Sequence, residues 1–159
     1  MSDLEQLYQQ IILDHAKERY GNKPLIGDTG QGRSPLFGSS HQVNPTCGDE
    51  ITMEVEIDPD TGRLAVRWDG QGCSISMASA SVLSELAEDL DAAEFEEVRE
   101  AFHELMHSRG KVEADEELLG DAAAFQGVSK FPARIKCALL SWMALKDSLA
   151  QARTAGGSQ

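Results

Sequence analysis

The chain has 159 residues, of which 41% are hydrophobic and 26% charged, an ordinary composition for one globular domain with its own core. Acidic residues outnumber basic ones 27 to 14, giving a formal net charge of −13. That charge repels phosphate backbones and argues against nucleic acid as a partner. No apolar stretch approaches the ~20 residues of a membrane span, and the acidic N-terminus is unlike a secretory signal. We therefore expect a cytoplasmic protein with no membrane partner.

The first element predicted along the chain is an amphipathic helix over Asp3–Arg19. Its predicted inward face consists of Leu4, Leu7, Tyr8, Ile11, Ile12 and His15. Residues 20–45 are rich in glycine and proline and predict a long irregular connection. Loops of that length are uncommon in a compact domain unless they serve a function.

A β-hairpin follows, because residues 51–57 and 64–68 alternate between apolar and polar side chains around a turn at 58–62. The first strand of this hairpin has a predicted buried face of Ile51, Met53, Val55 and Ile57. Residues 41–44 are expected to add a short third strand. The sequence thus predicts a small antiparallel sheet.

Helical patterns occupy the rest of the chain. They predict helices over 74–87 and 93–107, a short helix near 115–125, and a last helix from Phe131 to about Gln151. The predicted fold class is α+β, with the antiparallel sheet packed against several helices in a single domain. We expect that domain to cover residues 1–153 and residues 154–159 to form a disordered tail.

The three cysteines are the residues that indicate which chemistry this protein performs. An odd number of thiols in a reducing compartment argues against a disulfide framework and favours metal binding or thiol chemistry. Cys47 lies in a turn-forming stretch, and the Cys-Gly-Asp sequence lets its thiolate and the Asp49 carboxylate point at one ion. Cys73 lies where a helix begins, so the free N–H groups there favour its thiolate. Antiparallel pairing brings Cys47 and Cys73 to the same end of the hairpin.

Cys137 lies in the last helix but off its apolar stripe. The helical wheel turns this thiol about 140° from the middle of the stripe, where a purely structural cysteine is not expected. We interpret Cys137 as a metal ligand or reactive thiol, the alternative being an indifferent cysteine at the surface or at a second packing interface. Three thiolates and one carboxylate form a four-coordinate set that zinc accepts.

A second metal-binding pattern is His103-Glu104-Leu105-Met106-His107, which matches the zinc-protease signature. The helix is expected to end directly after it, and no further histidine follows at the spacing of the extended motifs. We therefore interpret these residues as the solvated side of an amphipathic helix. The protease alternative needs a third ligand from Glu113, Glu116 or Glu117.

Several motifs together resemble the SufU type of NifU/IscU-like iron–sulfur cluster assembly proteins. They are Asn-Pro-x-Cys-Gly-Asp at 44–49, Gly-x-Gly-Cys-Ser-Ile-Ser with Ala-Ser at 70–79, and Phe-Pro-Ala-Arg-Ile-Lys-Cys-Ala-Leu-Leu-x-Trp at 131–142. The first helix resembles the family's opening helix, and residues 108–130 resemble the insertion of the SufU type. The resemblance covers nearly the whole chain.

One position departs from the scaffold branch of that family. Scaffold members carry a histidine directly before the last cysteine, whereas this chain has Lys136, which has no free lone pair when protonated. The resemblance therefore implies that Cys47, Asp49, Cys73 and Cys137 hold Zn²⁺.

The implied activity is that of a zinc-dependent sulfurtransferase whose acceptor is Cys47. Its sulfur would come from a PLP-dependent cysteine desulfurase of the SufS type and pass to a downstream sulfur acceptor or cluster scaffold. Two alternatives stay open, because thiolates bind both metals. One is a non-enzymatic scaffold for a transient [2Fe–2S] cluster, and the other is a purely structural zinc domain.

Overall fold

The structure, a computed structural model, describes residues 3–27 and 34–157, with side chains up to residue 154. In chain order its elements are α1 (Asp3–Glu18), β1 (Leu36–Asn44), β2 (Asp49–Ile57), β3 (Leu64–Gln71), α2 (Ser74–Ala87), α3 (Ala92–Met106), α4 (Glu116–Leu119), a 3₁₀ helix (Gly120–Lys130) and α5 (Pro132–Gly157). The α+β class is as predicted. No helix in the described ranges is long and apolar enough to cross a membrane.

The three strands form one antiparallel sheet in the order β1-β2-β3. The predicted hairpin is confirmed, and the predicted face of Ile51, Met53, Val55 and Ile57 is buried, with at most 8% exposure. Asn44 pairs with Asp49, and Glu50 pairs with Gln71. The β1–β2 turn and the end of β3 therefore lie at the same end of the sheet.

The strand predicted over residues 41–44 is β1, and it is longer than predicted. This corrects the interpretation of residues 20–45 as one irregular connection. β1 begins at Leu36, and its Gly38 lies so close to α5 that an added Cβ would be 1.8 Å from the backbone oxygen of Ser148. A glycine in a strand interior often marks such a close approach of another backbone. This glycine is thus a packing feature rather than a sign of a loop.

Helices α2 and α5 cover the inner face of the sheet, and α3 and the 3₁₀ helix pack behind them. An aromatic cluster joins these layers. The ring of Trp142 stacks on Phe102 with centroids 4.1 Å apart, and Phe95 and Phe125 complete the cluster. The indole N–H of Trp142 donates to Ser79, so the polar atom of this buried side chain is satisfied.

The predicted inward face of α1 is partly wrong. Leu4 and Leu7 are about half exposed, whereas His15 is buried and Tyr8 and Ile12 pack against the core. α1 lies on α2 and the 3₁₀ helix, so only the part of its apolar surface that meets those two elements is covered. Helical spacing alone cannot distinguish that part from the rest.

The region after α3 differs from the expected short helix over 115–125. It holds the single turn α4 and then a 3₁₀ helix of 11 residues, which is long for this conformation. α5 continues past the predicted end near Gln151 as far as Gly157, so residues 154–157 of the predicted tail are helical. Residues 158–159 lie outside the described ranges, and the domain boundary at 153 stays a prediction.

Candidate metal centre

The three thiols and Asp49 come together at one end of the sheet. Cys47 lies exposed in the turn that joins β1 to β2, where Gly48 has a positive φ of 74°. A positive φ suits glycine because no Cβ opposes it. The backbone oxygen of Asn44 accepts from the N–H groups of Cys47 and Gly48, at 3.3 and 2.9 Å. These bonds fix the turn that presents the Cys47 thiol.

Cys73 occupies the predicted position at the start of α2, and it is linked to Asp49. The N–H of Cys73 donates to Asp49 Oδ1 at 2.8 Å, and its Sγ lies 3.9 Å from Asp49 Oδ2. Asp49 is fully buried, so protein groups rather than bulk water surround its carboxylate. A Cβ on Gly72 would lie 2.4 Å from Asp49 Oδ1, which leaves room there for no residue but glycine.

Cys137 completes the cluster from α5. Its Sγ lies 3.5 Å from the Sγ of Cys47 and 3.8 Å from Asn44 Nδ2. Cys137 is only 3% exposed and shares a buried face of α5 with Ser141 and Ser148, because α5 packs against β1; the prediction that this thiol points away from the packed side of the helix is wrong. Burial raises the pKa of the Cys137 thiol well above its usual value, with further increases from Asp49 and the other two thiols.

The donor set fits a thiophilic cation. The ligand atoms of Cys47, Asp49 and Cys137 lie within 4.8 Å of one another, and Cys73 adjoins Asp49. Sulfur ligands with one carboxylate suit zinc, and thiolates also suit iron–sulfur clusters. A bound cation would offset the cost of burying Asp49 and would hold the thiols as thiolates. The four side chains singled out from the sequence are thus neighbours in the fold.

The sequence interpretation missed two polar neighbours of the sulfurs. The sequence assigns Asn44 to the end of the short third strand and to the motif at 44–49, but Asn44 is 7% exposed and its amide points at Cys137. Ser76 lies one turn into α2, where its Oγ accepts from Cys73 Sγ at 3.7 Å and donates to the Cys73 carbonyl. The available sequence signal was the position of Asn44 close to Cys47 and of Ser76 close to Cys73.

The histidine pair that matches the protease signature lies elsewhere, at the exposed end of α3. The rings of His103 and His107 stack with centroids 4.2 Å apart, and His107 Nδ1 lies 2.9 Å from the His103 carbonyl oxygen. Among the described residues, this pair does not belong to any group of three or more close metal-ligating side chains. Burial, then His107, then Arg99 and Lys146 lower the pKa of His103.

A second cluster with metal-ligating atoms within 4.8 Å consists of His15, Glu85 and Asp121. Both ring nitrogens of His15 already have partners, Ser81 Oγ at 2.8 Å and Asp121 Oδ2 at 2.9 Å. Ser81 Oγ also accepts from the Tyr20 N–H. Because an ionised carboxylate only accepts, the His15 ring donates from Nε2 to Asp121. We interpret this cluster as a polar link between α1, α2 and the 3₁₀ helix.

The fold and this cluster define a class of protein, a small α+β domain that gathers three thiols and one carboxylate at the end of an antiparallel sheet. The model of the NifU-like N-terminal domain matches residues 7–138, a span that contains Cys47, Asp49, Cys73 and Cys137. The chain belongs to this family, which confirms the resemblance found in the sequence.

Two curated relatives match over most of their length. The zinc-dependent sulfurtransferase SufU of Bacillus subtilis (strain 168) is 41% identical over 150 residues, covering 94% of each chain. The iron–sulfur cluster assembly scaffold protein IscU of Streptococcus pyogenes serotype M1 is 32% identical over 155 residues, covering 98% of this chain and 90% of the relative.

Solved structures share the fold. A putative iron–sulfur cluster assembly scaffold protein for the SUF system from Fervidobacterium islandicum AW-1 aligns with a TM-score of 0.72 at 28% identity, covering 91% of this chain and 97% of that one. The N-terminal part of a NifU-like protein from Brucella abortus aligns with a TM-score of 0.74 at 21% identity, covering 96% and 98%, a likeness of fold alone.

Proposed function

We propose that this protein is a zinc-dependent sulfurtransferase of iron–sulfur cluster assembly. Its acceptor is Cys47, and its sulfur donor is the persulfide of a PLP-dependent cysteine desulfurase of the SufS type. The observation that carries this proposal is the exposed Cys47 thiol, 3.5 Å from the buried Cys137 and grouped with Asp49. Similarity to a zinc-dependent sulfurtransferase over 94% of the chain supports it.

Cys47, Asp49, Cys73 and Cys137 would hold the zinc ion. When bound, zinc supplies the positive charge that keeps these thiols as thiolates close together. The protein's own contribution is to keep Asp49 and Cys137 buried while Cys73 is exposed at the start of α2 and Cys47 is exposed in a turn. The donor can thus reach Cys47 without disturbing the core.

The transfer is a thiolate displacement. The Cys47 thiolate attacks the outer sulfur of the donor persulfide, a new sulfur–sulfur bond forms on Cys47, and the donor's own sulfur–sulfur bond breaks. The electron pair of the broken bond stays on the donor cysteine, which leaves as a thiolate. No external oxidant or reductant is needed. A downstream sulfur acceptor or cluster scaffold then takes the sulfur from Cys47, a chemistry that we place in the reducing cytoplasm.

The deciding experiment supplies a cysteine desulfurase and cysteine to the protein and to three single variants, and detects persulfide by mass spectrometry. Cys47→Ser should abolish persulfide formation, since the attacking sulfur is gone. Cys73→Ser and Cys137→Ser keep that sulfur and should instead lose metal. Transfer by Cys47→Ser at the rate of the unsubstituted protein would refute the assignment.

A scaffold for a transient [2Fe–2S] cluster is the competing function, favoured by the relatives named as scaffolds. Metal analysis of protein purified from cells separates the two. One tightly bound zinc and faster desulfurase turnover that depends on Cys47 support the sulfurtransferase. Iron with labile sulfide and unchanged turnover support the scaffold.

A further inference from the structure

The three thiols have different hydrogen-bond partners. The amide N–H of Asn44 points at Cys137, with Nδ2 3.8 Å from Sγ. In the part of the chain that the structure describes, the Cys47 sulfur accepts a hydrogen bond from the Cys137 thiol but from no N–H group. Two sulfurs 3.5 Å apart therefore differ in hydrogen bonding as well as in exposure, since only Cys137 receives an amide donor.

Asn44 contacts both cysteines through different groups. Its backbone oxygen accepts from the N–H of Cys47, and its side chain donates to Cys137. Asn44 is also the last residue of β1 and is 7% exposed, so its side chain has little freedom to turn away. Asn44 therefore both closes the turn that exposes Cys47 and provides the amide that faces Cys137.

We propose that Asn44 is a positioning residue. Its amide makes Cys137 a metal-binding thiolate of low reactivity and leaves Cys47 as the thiolate that reacts with the donor. An N–H donor shares the sulfur lone pair, which lowers the nucleophilicity of that sulfur. Hydrogen bonds to ligand atoms also fix their orientation around a metal. This inference rests on the proposed function, because it explains why Cys47 rather than its neighbour accepts sulfur.

The test measures the alkylation rate of each cysteine by mass spectrometry in zinc-loaded protein, where the metal holds the sulfurs as thiolates, without a desulfurase. Asn44→Asp has nearly the same shape and lacks the N–H donor, so access to Cys137 should not change. Asn44→Leu also lacks the donor and adds no charge. In both variants Cys137 should react about fivefold faster, with a smaller change at Cys47. Ser74→Ala, an exposed change at the start of α2, is the control and should leave both rates unaltered.

The two Asn44 variants separate the loss of a donor from a looser site. Faster alkylation in both supports the proposal. Faster alkylation in Asn44→Leu alone means greater access and overturns it, as do unchanged rates in both variants. These outcomes are independent of sulfur transfer, so the proposed function and this inference can fail separately.

A second measurement needs no variant and applies if the substitutions unfold the protein. In protein loaded with ¹¹³Cd, a hydrogen bond from Asn44 to a metal-bound Cys137 sulfur should produce scalar coupling between the amide protons and the cadmium nucleus. Observed coupling supports the proposal. Absence of coupling, in a protein that holds one cadmium ion, overturns it.

Discussion

At the scale of single residues, the short distance between Gly72 and the Asp49 carboxylate leads to a testable prediction. A Cβ there would lie 2.4 Å from Asp49 Oδ1 and 2.6 Å from Ser76 Oγ. Gly72→Ala should therefore displace the carboxylate and lower zinc affinity about 10- to 100-fold, the range seen when neighbours of ligands are changed. Competition with a chromogenic zinc chelator measures this affinity.

Gly127→Ala is the matched control, since the added methyl group would meet no atom within 4 Å beyond its chain neighbours and its own helix. It should leave zinc affinity unchanged. Equal affinity in Gly72→Ala and the unsubstituted protein would mean that Asp49 does not contribute to metal binding.

Hairpin pairing and the Cys-Gly-Asp sequence predicted that Cys47, Asp49 and Cys73 lie together, because these are local signals, whereas the place of Cys137 beside them was implied by the family resemblance. The sequence did not predict the amide of Asn44 facing Cys137, since that contact joins residues 93 positions apart. It also placed Cys137 off the apolar stripe without predicting its burial. One helix can pack with two surfaces, and periodicity identifies only the more apolar one.

At the scale of elements, the contact between α1 and α4 gives a pH prediction. Tyr8 donates a hydrogen bond to Glu116. Burial, that hydrogen bond and the charges of Glu116 and Glu113 raise the pKa of Tyr8 from 10.0 to about 12. The folded chain thus favours the neutral phenol. The resulting stabilisation is complete below pH 10 and is lost as pH rises towards 12.

Urea denaturation across that pH range tests this link. The free energy of unfolding should fall more steeply with pH in the unsubstituted protein than in Tyr8→Phe, which has no phenol to ionise. Tyr20→Phe is the companion variant, because Tyr20 is the other tyrosine and its pKa is also raised to about 12. In that variant, tyrosinate absorbance reports Tyr8 alone. Ionisation of Tyr8 at an ordinary pKa would contradict the prediction.

The elements that sequence patterns located well are those with strong alternation or strong helical composition. β2 and α2 match their predicted ranges closely, with α2 matching at both ends. The length of β1 was underestimated because Gly38, Ser39 and Ser40 are typical of a turn in sequence. Their strand conformation is supported by α5, which packs against β1. α1 was assigned too broad an inward face because Leu4 and Leu7 repeat at helical spacing yet lie beyond its partners.

At the scale of the whole molecule, the net charge of −13 leads to a salt prediction. Excess like charge destabilises a compact chain, and salt screens that repulsion. Raising sodium chloride from about 0.05 to about 0.5 M should increase the unfolding temperature by about 2–4 °C, a gain of about 1 kcal/mol. Calorimetry of the metal-free protein measures it, with potassium chloride as the control for ion identity. A lower unfolding temperature in salt would mean that attractive ion pairs outweigh the repulsion.

The residues that meet at the candidate metal centre are far apart along the chain. Cys47 and Cys137 are separated by 90 positions and Asp49 and Cys73 by 24, so an ion bound to all four closes long loops. A cross-link of that kind restricts the unfolded chain, and ligand that binds only the folded chain raises its stability. Metal affinity and folding are therefore thermodynamically linked. A core substitution far from the thiols would also reduce metal content, so the zinc retained by a variant is partly a measure of how well that variant folds.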